Sequence, residues 1–249
     1  MINLNLSTRL NFNRVPRDQS GFISYPDFMV NSGYPRPYPQ QIKMKEYFFD
    51  EPWTTPVKML LATRFYGKTD YITIGGNAHE IYKDDDYEGL IVTKTSGRGR
   101  EYLGEIRRCL VENGVKVASK GNTRVIVSGH IGKEPNAYAI SIASKAIRSR
   151  HPNGIIFLED IVTPDDVSAK ERAKVFRGYE ELLKVGKRIA IIGQPVHALD
   201  CYQQLRGKVP TLEIKYGTIP ELDVDLNAMR AAGVSEKSIQ ASYFLNIED

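Results

Sequence analysis

The sequence predicts an α/β fold, a mostly parallel β-sheet covered by helices on both faces. Three observations lead there. Six runs have strand length, at residues 57–62, 89–93, 124–128, 155–158, 188–192 and 212–216. They are apolar along most of their length rather than alternating, as strands buried on both faces are. Segments of helical character separate them, such as 98–112 and 169–185, the latter with apolar positions at helical spacing.

Composition narrows the class. The chain has 249 residues, room for one large domain or two small ones, and at 41% hydrophobic it can bury a core. At 26% charged it is neither disordered nor fibrous, and a net charge of +4 draws an acidic partner only weakly. No run approaches the 18 or so apolar residues of a membrane span, and the first residues lack the apolar centre of a secretion signal. Cys109 and Cys201 are too few for a zinc cluster and suit a reducing compartment. A soluble intracellular protein is expected.

In chain order, residues 1–56 come first. Pro16, Pro26, Pro35, Pro37, Pro39, Pro52 and Pro56 break long helices, so an extended arm is expected, packing through Phe22, Tyr25, Phe28 and Tyr38. One short helix, 40–49, follows Pro39, a residue suited to a helix start. The second unit, 57–249, opens on the first strand. Within it, 115–143 lacks helical periodicity and reads as a hairpin insertion.

The first strand runs into Ala62-Thr63-Arg64-Phe65-Tyr66-Gly67-Lys68-Thr69, which fits the P-loop pattern of a small residue, four variable positions and Gly-Lys-Thr. Gly67 permits the tight backbone path, Lys68 supplies charge for β/γ-phosphate oxygens, and Thr69 supplies a hydroxyl for Mg²⁺. The alternative is a Gly-Lys-Thr turn without a ligand. In its favour, the next segment, 70–83, holds Ile72, Thr73, Ile74, Gly75 and Gly76, all poor helix formers.

A second half-site follows the apolar run 155–158, where Glu159 and Asp160 fall at the carboxyl edge of a buried strand. One carboxylate would hold Mg²⁺ and the other polarise an attacking water. Read alone, the pair equally suits an acidic turn, since Thr163-Pro164-Asp165-Asp166 follow. Gln194, just past the strand 188–192, can sense a γ-phosphate or simply sit in a strand-to-helix turn. Upstream, Gln40-Gln41 offer an amide able to pair with adenine N6 and N7.

Taken in order, these pieces resemble the ATPase domain of the large terminase subunit of tailed bacteriophages, from about Tyr38 to the end of the chain. Tyr38-Pro39-Gln40-Gln41-Ile42 resembles the adenine-binding glutamine motif, with Gln41 the better match. The loop at 62–69 is similar to the family's variant P-loop, whose arginine stands where Arg64 does. Leu90–Ser96 and the basic helix after it look like the strand and loop that follow. Glu159-Asp160 resembles the acidic motif. Gln194-Pro195, followed by His197 and Asp200-Cys201-Tyr202, resembles the coupling motif, and residues 238–246 the stretch that closes the domain. Glu159 and Gln194 depart from the usual Asp and Thr or Ser. No later acidic cluster suits two-metal phosphodiester cleavage, so no nuclease activity is expected of this chain.

The resemblance implies a P-loop NTPase of RecA-like fold that binds ATP and Mg²⁺. It implies Mg²⁺ on Thr69 and Glu159, a water oriented by Asp160, and Lys68 and Arg64 offsetting charge on the γ-phosphoryl group. It further implies double-stranded DNA as the translocated partner. The portal protein, the small terminase subunit and a nuclease domain or second polypeptide would be companions. A ring of copies would work at the procapsid portal vertex in the host cytoplasm. DNA phosphates would meet Arg98, Arg100, Arg107 and Arg108 on one helix, with Lys145, Arg148 and Arg150, or these are solvated faces; Arg150 is also a candidate for the phosphate site. His79, His130, His151 and His197 lack metal spacing. Competing readings are another P-loop enzyme, such as a nucleotide or small-molecule kinase, and a non-enzymatic capsid or tail component.

Overall fold

A computed structural model describes residues 21–163, 168–185, 188–196 and 198–247. Pro16, Pro164, Asp165, Asp166 and His197 lie outside them, as does the side chain of Arg148. Among the described residues, seven strands form one sheet: β1 (Val57–Ala62), β2 (Gly89–Thr93), β3 (Arg124–Val125), β4 (Ala137–Ser141), β5 (Ile156–Glu159), β6 (Ile189–Gly193) and β7 (Thr211–Ile214). Their order is β3-β4-β2-β5-β6-β1-β7, and every pairing is parallel except β3 with β4. The strand β6, which leads to Gln194, therefore lies between the P-loop strand and the acidic strand.

Alternate residues of the apolar strands serve opposite faces. Leu60, Ala62, Ile91, Phe157 and Ile192 enter one core with α1 (Tyr25–Asn31), α2 (Pro39–Phe49), α3 (Gly75–Lys83) and α4 (Ser96–Glu112). Met59, Leu61, Val92, Leu158 and Ile191 enter the other with α5 (Ala169–Leu183) and α6 (Cys201–Leu205). Lys58 interrupts the apolar run of β1 but is itself buried: its ammonium donates to Tyr47 O at 2.6 Å and lies over the rings of Tyr47 and Trp53. A smaller cluster of Leu226, Ile239 and Tyr243 gathers α7 (Leu226–Ala231), α8 (Glu236–Ile239) and the turn Gln240–Phe244.

Three expectations are corrected. The region before β1 is not an extended arm throughout: Tyr25–Asn31 forms α1, capped by the Ser24 side chain, with Pro26 in its first turn. Its Phe28 and Met29 are fully buried, Phe28 against the rings of His79 and Tyr82 in α3. The segment 115–143 does contain an antiparallel pair, but β4 also lies alongside β2 as a full strand of the sheet. Residues 68–83 are helical despite their composition: a wide first stretch, Lys68–Ile74, continues into α3. Tertiary packing decides this. A Cβ on Gly75 would collide with Met29, and one on Gly76 with Phe49, so these glycines allow the close approach of α1 and α2.

Candidate active site

The loops that leave β1, β2, β5 and β6 surround a cleft of about 810 Å³ at the carboxyl edge of the sheet, where open α/β sheets bind ligands. The first wall is the loop after β1. Arg64, Phe65 and Lys68 line the cleft, and Phe65 is 69% exposed. Ala62 and Thr63 are buried behind them, and the Thr63 hydroxyl donates to Tyr243 O at 2.7 Å. Tyr66 turns inward to bond Asp223 through its hydroxyl. Gly67 has φ 73°, and a Cβ there would lie 2.6 Å from the Tyr71 ring. Phe65 also has positive φ, so the loop holds two residues in the left-handed region, one on each side of the inward-turned Tyr66.

The carboxylates form the floor. Glu159 is the last residue of β5 and is buried. One of its oxygens accepts the Thr69 hydroxyl at 2.5 Å, and the other accepts the Thr73 hydroxyl. Burial, with the neighbouring charge of Asp160, pushes its pKa well above the usual carboxylate range, against the pull of both hydroxyls and Lys68. Asp160 follows with φ 44° and points into the cleft, its Oδ1 4.0 Å from Lys68 Nζ. The two acids thus have different surroundings: one dry and held by hydroxyls, the other open and facing the lysine.

The third wall comes from β2 and α4. Thr93, Lys94, Thr95, Arg98 and Tyr102 line it. The helix can start this close because residue 99 is glycine; a Cβ there would lie 2.6 Å from Ala139 Cβ. Past β6, Gln194 closes the fourth side, and its amide makes a long contact of 3.5 Å to Ala241 O.

Of the residues singled out by sequence, Arg64, Phe65, Lys68, Glu159, Asp160 and Gln194 line one cleft, and Thr69 joins them through Glu159. Ala62, Thr63, Tyr66 and Gly67 support it from behind. Gln41 lies beneath the loop: its Oε1 accepts from Tyr38 N at 2.9 Å, its Nε2 donates to Tyr66 O at 3.0 Å, and it is 2% exposed. Here the glutamine braces the P-loop backbone.

The basic residues do not form one face. Arg107 binds the backbone of Ser119, Gly121 and Arg124, and Arg108 binds Ser32 O and stacks on Tyr34. Arg150 pairs with Glu134 over the Tyr138 ring, away from the cleft. Arg98 faces the cleft, while Arg100 and Lys145 remain exposed.

Sequence reasoning missed Thr73, Tyr102 and the placement of Arg98. The pairs 69/73 and 98/102 are each four apart, the spacing that stacks side chains on one helical face. Among the described residues, no group of three or more His, Cys, Asp or Glu is arranged to hold a metal, and no helix is long and apolar enough to cross a membrane.

No protein-family model and no curated protein matches the chain. Solved structures do. The large terminase ATPase domain of Thermus phage P74-26 is similar with a TM-score of 0.58 at 13% identity, over 89% of this chain and 97% of that one. The large terminase of a thermophilic bacteriophage in complex with ADP gives a TM-score of 0.58 at 11% identity, over 84% of this chain and 52% of that one. The same terminase in complex with ATP-gamma-S gives a TM-score of 0.57 at 11% identity. The chain spans about half the length of that second terminase. The fold is therefore the RecA-like α/β fold of phage large terminase ATPase domains.

Proposed function

We propose that the chain is an ATP-hydrolysing motor domain of a viral DNA-packaging terminase, moving double-stranded DNA into a procapsid. The observation that carries the reading is the meeting in one cleft of Lys68, the Thr69–Glu159 pair and Asp160, at the sheet edge that binds ligands in α/β folds. The likeness in fold to phage large terminases, one of them solved with ADP and also with ATP-gamma-S, supports it.

In this reading the triphosphate lies along residues 62–69, with Lys68 drawn from Asp160 to the β/γ oxygens. Asp160 then orients a water for in-line attack, its open setting giving access to solvent. Arg64, exposed at the rim, offsets charge on the γ-phosphoryl oxygens. The donors at the Thr69–Glu159 pair are all oxygen, and a cation there would relieve the cost of ionising the buried carboxylate. The pair thus fits Mg²⁺, which would supply charge neutralisation on the phosphate oxygens. Portal, small subunit, nuclease half and a ring of copies belong to the same proposal as partners.

The test is ATP hydrolysis by the purified chain with and without linear double-stranded DNA. Wild type is expected to hydrolyse ATP faster with DNA present. Lys68→Ala and Asp160→Asn are each expected to lose at least about a hundredfold in rate. Phosphoryl transfer to a small acceptor, unaffected by DNA, would favour a kinase. An unchanged rate in both variants would place the chemistry elsewhere.

A further inference from the structure

The cleft has a cation that the proposed chemistry does not use. Arg98 lies in the first turn of α4, on the wall opposite the P-loop, and its side chain is exposed to the cleft. Tyr102, one turn further along the helix, lines the same wall, and its side chain lies beside the guanidinium. Tyr102 is 6% exposed and near enough to both carboxylates that each, after burial itself, raises its hydroxyl pKa. Asp160 in turn acts on Arg98 as an attracting charge. Asp160 therefore shares the cleft with two cations, Lys68 at 4.0 Å and Arg98 on the wall formed by α4.

These roles separate when a triphosphate enters. Lys68 belongs to the P-loop and moves with the β/γ oxygens. Arg98 is carried by another element, and Gly99 holds that element against β4. A guanidinium fixed across the cleft from the loop meets the phosphoryl group furthest from the loop's own donors. Resting on the ATPase reading above, we propose that Arg98 is a cis-acting contact to the terminal phosphate of a bound nucleoside triphosphate, with Tyr102 as the positioning residue that aims it. Arg98 thereby distinguishes triphosphate from diphosphate and is not a contact to DNA. Guanidinium suits the task because its planar donors can engage two phosphate oxygens together.

The test is fluorescence titration with ADP and with a non-hydrolysable ATP analogue, alongside ATP turnover, for wild type, Lys68→Ala, Arg98→Ala, Arg98→Lys and Tyr102→Phe. Arg98→Ala is expected to keep ADP affinity within about twofold, to lose about tenfold for the analogue and to lose at least about tenfold in kcat. Arg98→Lys should recover part of the analogue affinity. Tyr102→Phe should lower kcat severalfold with ADP binding unchanged, since the arginine persists but is no longer aimed. The proposal is overturned if Arg98→Ala retains the wild-type preference for triphosphate, or if it loses affinity for duplex DNA with nucleotide binding intact. Wild type that binds neither nucleotide, as Lys68→Ala is expected to, would overturn the ATPase reading and this proposal with it.

Discussion

Asp160 occupies a backbone conformation, φ 44°, that costs an L-residue free energy and that Asp and Asn tolerate best. The bend turns its side chain away from Glu159, so adjacent carboxylates diverge into different environments. Glu159 bears the cost of that division. With its pKa raised by burial, it remains protonated in the fold at pH values where the unfolded chain, near 4.5, has already ionised. The sign follows: the folded state loses stability relative to the unfolded one as pH rises above about 4.5. Glu159→Gln removes this penalty, since an amide can still meet the Thr69 and Thr73 hydroxyls. The variant should melt higher than wild type at pH 7–8, with the difference shrinking toward pH 4.5, while ATP hydrolysis falls at least about tenfold. Thermal melts at several pH values check this, and a difference independent of pH would contradict it.

At the scale of elements, the helix after the P-loop shows which information a sequence carries openly. Strands β1 and β2 were legible to the residue because a strand buried on both faces is mostly apolar rather than alternating, and β5 and β6 were shifted by one. The stretch 68–83 was not, because its glycines and β-branched residues answer to neighbours distant in sequence. Helix α1 was hidden similarly: seven residues containing a proline carry little periodicity, and burial against α3 and α4 stabilises them. In the site, motif spacing located Lys68, Thr69, Glu159 and Asp160. It missed Arg98 and Tyr102 because nothing in a linear motif says that α4 begins beside the acidic strand. The prediction here runs against helix propensity. Gly76→Ala, stabilising by about 1 kcal/mol in an isolated helix, should destabilise this protein by about 1–3 kcal/mol because the methyl group meets the Phe49 ring. Urea denaturation measures the sign directly.

For the molecule as a whole, the P-loop depends on residues near the other end of the chain. Tyr243 O accepts the Thr63 hydroxyl at 2.7 Å, Ser242 O the Arg64 amide at 3.4 Å, and Ala241 O the Gln194 amide at 3.5 Å. Three successive carbonyls thus hold the start of the loop and the end of β6. Thr63→Val removes one of these bonds without altering any group that lines the cleft. It should weaken nucleotide binding severalfold, the equivalent of about 1 kcal/mol, in the same fluorescence titration. Unchanged affinity would show that the loop holds its shape without the carbonyls.

The strand order bears on how the protein is made. Strand β1 is flanked by β6 and β7, so its partners are among the later segments to leave the ribosome. Until they emerge, a mostly apolar strand and the loop beyond it have nothing to pair with. Long-range parallel pairing of this kind is slow and leaves strand edges open to misassociation. The nascent chain therefore passes through a period in which residues 57–69 lack their strand partners, and a holding chaperone present during synthesis should raise the yield.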